Sequence, residues 1–194
     1  MNNRIQELAA QIRALEKELR EEIQRIRIQT YEIRDRGVVF SETVLREHKA
    51  QMEHLLHYLS EARLKHILTA PFVWLCLIPA CMLDLSVTLY QAICFPLYGI
   101  PRVRRSDYIV IDRHFLAYLN IIEKMNCFYC SYFNGLMAYA TEIAGRTEQY
   151  WCPIKHARHL KTMHSRYGKF VDYGDGKAYR EKAEDLRKDF NDTE

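Results

Sequence analysis

An all-α fold is predicted by three features: three-four spacing of apolar residues over the first 66 positions, an apolar run from Ile67 to Ile100, and a proline-free stretch from 113 to 149. Glycine (7) and proline (5) are scarce in the 194 residues, which argues against long disordered or collagen-like segments. The formal net charge is +3, and no segment interleaves clustered Lys/Arg with stacking aromatics. A nucleic-acid partner is therefore excluded from the reading.

The first helix is expected over 4–36. Ile5, Leu8, Ile12, Leu15 and Leu19 alternate at steps of three and four, and Ile26 and Ile33 return to the same seam. Glu21 and Glu22 are spaced to pair with Arg25 on the polar side. Gly37 is a natural stop, and Ser41 is placed to cap a second helix through Leu45, His48, Met52, Leu55, Leu59, Ala62 and His66. With four residues between them, the two helices are expected to fold back as a hairpin across 1–66. The competing arrangement is a parallel coiled coil built on residues 4–36, by self-association or with a protein partner. His48 and His66 read as tolerated seam-edge residues.

From Ile67 to Ile100 the chain carries one formal charge, Asp84, and three prolines, Pro71, Pro79 and Pro96. A straight helix of this length runs about 50 Å, against a hydrocarbon core of about 30 Å. Basic residues flank it on both sides: Arg63, Lys65 and His66 before, Arg102, Arg104 and Arg105 after. Positive flanks favour the cytoplasmic face, so a helix–break–helix dipping into one leaflet is expected, with membrane lipid as a partner. Both termini then lie on the cytoplasmic side of an inner or cytoplasmic membrane. A single tilted span and a buried helix pair in a soluble domain are the alternatives. Asp84 at the break needs a partner or a headgroup-level position.

Residues 101–194 form the Cys/His-rich part. Residues 106–111 read as an extended connection, with Ser106 or Asp112 capping a helix over 113–149 that Gly145 ends or bends. Pro153 is placed to start another helix toward Tyr167, and Lys177–Phe190 reads as a charged final helix.

Six cysteines in a chain without a secretory leader pattern suggest thiols in a reducing compartment. Cys127 and Cys130, i,i+3 on a helix, share one face, as do Cys152 and His156. The pattern C-x2-C-x21-C-x3-H supplies four soft or borderline donors, suited to tetrahedral zinc. It requires the intervening residues to make a return turn. Iron–sulfur or haem ligation are alternatives for the same thiolates. A second arrangement is a di-metal centre of Glu142, Glu148, His156 and His159, although Glu142 also sits i,i+4 from Arg146 as an ordinary pair. Asn134 and Tyr150 are candidate supporting donors, and His114 and His164 read as isolated.

The function expected from these features is a membrane-anchored coiled-coil interaction or sensor protein with a Cys₃His metal site. A membrane-bound metalloenzyme or electron carrier and a metal-free scaffold are the rivals. No phosphate-binding glycine loop, nucleophile elbow or His-Glu-x-x-His helix is present.

Overall fold

The apolar seam of the N-terminus folds as helix α1, Asn3–Thr30, with Glu22 and Arg25 bridged at 3.0 Å on its polar side. The computed structural model describes the backbone of residues 3–34, 37–52 and 64–192, and the side chains of all these except 3–6, 9, 13, 26–30, 34 and 64. The helix does not reach residue 36 as expected from the seam. Tyr31, Ile33, Val38, Val39 and Phe40 are β-branched or aromatic and favour extended chain. They pair instead as antiparallel strands β1 (Tyr31–Arg34) and β2 (Gly37–Phe40), with Tyr31 opposite Phe40 and Arg34 opposite Gly37. The Tyr31 and Phe40 rings meet at 5.7 Å across the ladder.

Ser41 caps helix α2, Glu42–Ala50, its hydroxyl accepting from the Val44 N–H. Leu55, Leu59 and Ala62, expected to prolong this helix, lie outside the described residues. His48 is wedged edge-on between the rings of Phe40 (5.0 Å) and Tyr118 (4.9 Å).

The chain divides into two compact units: residues 1–61 with 112–124, and residues 62–111 with 125–194. In the second, the apolar run forms α3 (Leu64–Leu75) and α4 (Leu77–Tyr98). Pro79 has no N–H to give the Leu75 carbonyl, and the α-helical pattern lapses one turn earlier, at Cys76. The backbone of Cys76 stays right-handed (φ −63°, ψ −15°), which carries the chain onward. The outcome is one apolar helix of 34 residues, Lys65–Tyr98, and not the helix–break–helix hairpin expected from its prolines. Gly99, at φ 68°, ends it, and the Ile100 N–H returns to the Phe95 carbonyl at 2.9 Å.

Residues 99–111 then run beside α4, with a 3₁₀ turn at Arg105–Asp107 where an extended segment was expected. The long helix α5, Ile121–Trp151, begins later than the spacing from 113 suggests. Its start is a reciprocal cap: Asn120 Oδ1 accepts from the Glu123 N–H (3.0 Å), and Glu123 Oε2 accepts from the Asn120 N–H (2.9 Å). Upstream, Arg113–Phe115 is only a 3₁₀ turn. Neither Gly135 nor Gly145 interrupts α5. Gly135 admits the return segment, since a Cβ there would stand 2.6 Å from the Tyr108 carbonyl oxygen.

No α-helix starts at Pro153, where the spacing suggests one toward Tyr167. The buried proline ring leads into a parallel bridge between Ile154 and Val171, fixed by Lys155 N–H to Val171 O (2.8 Å) and Val171 N–H to Pro153 O (2.9 Å). The final helix α6, Gly176–Lys188, is capped by Asp175, which accepts from the Ala178 N–H at 2.9 Å. The core of this unit gathers Phe95, Ile100, Val103, Leu136, Tyr139 and Ile143.

Candidate membrane face and buried polar network

Helix α4 has two unlike sides. On one, Ala80, Gln91 and Phe95 are buried, and the polar groups are satisfied in pairs. Asp84, the one formal charge of the apolar run, receives a two-pronged grip from Arg105: Nε to Oδ1 at 3.2 Å and Nη2 to Oδ2 at 2.6 Å. Tyr132 (3.0 Å) and Thr88 (3.3 Å) donate to the same carboxylate. Burial, with Cys81 and Asp84 alongside, pushes the Tyr132 phenol well above its ordinary value and keeps it a neutral donor. Two turns beyond Asp84, Gln91 Oε1 accepts from the Val103 N–H (2.9 Å), while its amide nitrogen donates to the Val103 carbonyl (3.2 Å) and to the Tyr139 hydroxyl. Arg102 reaches the Ala92 carbonyl at 2.9 Å. The partner Asp84 requires is thus supplied by the return segment.

The opposite side is bare. Met82, Leu85, Leu89, Ile93 and Leu97 recur at steps of three and four and are exposed, Leu85 at 71% and Leu97 at 76%. Those steps continue backward through Ile78, Leu75, Phe72 and Leu68, all exposed. Lys65–Tyr98 is the one helix among the described residues long and apolar enough to cross a membrane, and 6% of its most apolar window is buried.

The predicted metal ligands do not converge. Cys127 and Cys130 lie in the first third of α5 and Cys152 directly follows its last residue. Twenty-one helical steps of 1.5 Å separate Cys130 from Trp151, about 30 Å, with no return turn between. His156 stacks on Tyr167, whose hydroxyl accepts from the His156 N–H at 2.7 Å, and its Nε2 stands 4.0 Å from Glu148. Among the described residues no group of three or more His, Cys, Asp or Glu is arranged to hold a metal ion. Nor do Glu142, Glu148, His156 and His159 form one cluster: Glu142 pairs with Arg146 (2.8 Å), as the i,i+4 spacing anticipates, while Glu148 pairs with His164 (2.9 Å).

Arg166, which no local pattern in the sequence singles out as a site residue, and Gln149 complete this second network. Arg166, buried, donates to Glu142 (3.3 Å), to Gln149 Oε1 (3.0 Å) and to Asp192 (3.3 Å), and lies over the Phe190 ring. Gln149 in turn donates to the carbonyls of Leu186 (2.8 Å) and Asp189 (2.7 Å). The available signal was the polar series Glu142, Arg146, Gln149 at i, i+4 and i+7 on a helix whose neighbours Tyr139 and Ile143 are apolar. A cleft of about 470 Å³ opens here, lined by Tyr108, Thr141, Glu142, Arg146, His164 and Arg166. Its charges are already matched to one another. The second ring nitrogen of His164 is buried against Gly145, where an added Cβ would stand 2.8 Å away. This arrangement ties α5 to the C-terminal segment.

Comparison with protein-family models, with curated proteins and with solved structures finds no match.

Proposed function

We propose that the protein is a membrane-attached interaction protein, held to a bilayer by the helix Lys65–Tyr98 and engaging a protein partner or a second copy through the seam of α1. The observation that carries this reading is the uncovered apolar row from Leu68 to Leu97. In water such a row opposes solubility, because contiguous apolar patches on soluble monomers are small. Lipid removes that cost. The exposed seam residues Leu8, Ile12, Leu15 and Leu19 support the second part, since a three-four seam is stabilised by burial against another helix. Metal binding is not carried into this reading, as the Cys/His donors stand apart.

Flotation with lipid vesicles tests it. The full chain is expected to rise with phosphatidylcholine–phosphatidylglycerol vesicles and to remain with them in carbonate. A chain that stays at the bottom of the gradient, soluble without detergent, overturns the reading.

A further inference from the structure

We infer that Lys65–Tyr98 lies in the plane of the bilayer surface, its row from Leu68 to Leu97 in the acyl chains and the opposite side of Ala80–Tyr98 turned to the packed remainder of the unit, and does not cross the membrane. The inference rests on the membrane attachment just proposed and specifies its geometry.

Composition alone favours a crossing, since from Ile67 to Tyr98 the helix carries a single formal charge, Asp84. The packing opposes it. Residues 99–111 are bonded along α4 at Asp84, Gln91 and Ala92, and this segment has irregular backbone with exposed Arg102, Arg104, Arg105 and Asp107. A crossing helix would carry this strip of loop and guanidinium groups into hydrocarbon. Irregular backbone facing lipid leaves unpaired amides and carbonyls there, and arginine at the bilayer centre is costly.

The reach of the row points the same way. From Leu68 to Leu97 there are 29 helical steps, about 44 Å, against a hydrocarbon core of about 30 Å. At 100° per residue, the positions Leu68, Phe72, Ile78, Leu85, Leu89 and Leu97 fall within one arc of less than half the circumference. The occupant is therefore a bilayer surface. Arg102 and Arg104 beside the helix suit anionic headgroups. An in-plane helix also leaves Lys65 and Arg102, the two basic flanks, on one side of the membrane.

The test uses the two native tryptophans as a removable background. In the full chain, Trp74→Phe with Trp151→Phe gives a silent protein, into which Leu68→Trp, Leu85→Trp or Leu97→Trp is placed singly. All three positions project outward, so the fold tolerates the change. Fluorescence is read in phosphatidylcholine–phosphatidylglycerol vesicles whose lipids carry bromine near the headgroup or near the acyl-chain end. The expected result is the same ratio of shallow to deep quenching at all three sites, with shallow bromine the stronger. Deep quenching at 85 with shallow quenching at 68 and 97 shows a crossing helix; it overturns the inference and leaves membrane attachment standing. No quenching at any site overturns both, and concentration-dependent self-association in that case identifies a second copy as the occupant.

Discussion

From Lys65 to Pro79 the apolar helix is exposed on nearly every side, and Phe72 is 72% accessible. From Ala80 to Tyr98 the same helix has one sealed side, where Phe95 is fully buried and Gln91 and Asp84 are fully bonded. The two stretches are nearly indistinguishable by composition, and a window of hydropathy joins them into one span. Their difference lies in what the rest of the chain brings to them. The first stretch meets a ring contact between Trp74 and Tyr129, while the second receives Arg105, Val103, Tyr132 and Tyr139. Apolarity therefore reports that a helix leaves water, and packing reports on which side it does so.

The same substitution in the two stretches separates them most sharply. Phe95→Ala removes a side chain from the centre of the core and is expected to cost about 3–5 kcal/mol of unfolding free energy. Phe72→Ala, at an exposed position, is expected to change stability by less than about 0.5 kcal/mol, and to weaken flotation with vesicles instead. Chemical denaturation and flotation on both variants check this. Equal destabilisation by the two changes would mean that the first stretch is packed after all.

A smaller effect is expected at Gly135, where α5 and the return segment touch. An added methyl group would meet the Tyr108 carbonyl oxygen at 2.6 Å and Ile109 Cα at 2.9 Å, both backbone atoms that cannot rotate aside. Gly135→Ala is expected to destabilise by about 1–3 kcal/mol, the range for overpacking. The loss should appear as a lowered melting temperature of this unit. An unchanged melting temperature would show that the return segment is not held against α5.

These contrasts also mark how far the sequence can be read. The apolar run, the Ser41 cap, the Glu142–Arg146 pair and the last helix all depend on spacings of a few residues, and each is legible. The Asn120-Ile-Ile-Glu123 cap is equally local, but apolar spacing that runs back to Phe115 masks it. The strands Tyr31–Arg34 and Gly37–Phe40 are hidden for a related reason: Ile33 continues the seam of α1, and its periodicity masks the β-branched content of the next residues. The grip of Arg105 on Asp84 spans 21 positions, and that of Arg166 on Glu142 spans 24. No local pattern announces such pairs. The Cys₃His expectation depended on a turn within 131–151, where Gly135 and Gly145 serve close approach and not reversal.

The smallest expected effect concerns pH, and it again divides the two stretches. Burial pushes the Asp192 carboxyl up, but the hydrogen bond from Lys169 and the charges of Arg166 and Lys169 outweigh it and hold the group below the usual carboxylate range. A carboxyl whose folded value is lowered binds fewer protons folded than unfolded at mildly acidic pH. Its stabilising contribution is therefore complete above the ordinary aspartate value of about 3.9 and is lost as pH falls through the lowered one. Asp192 is half exposed, so solvent screening limits the contribution to below about 1 kcal/mol. Acid titration followed by Trp151 emission should show this loss, and Asp192→Asn should flatten it, with stability already reduced at neutral pH. Trp74 lies in the first stretch, where its ring meets Tyr129 and no member of this ion pair, and its emission should not follow the transition. An acid transition of unchanged slope in Asp192→Asn would assign it to other carboxylates and remove Asp192 from the account.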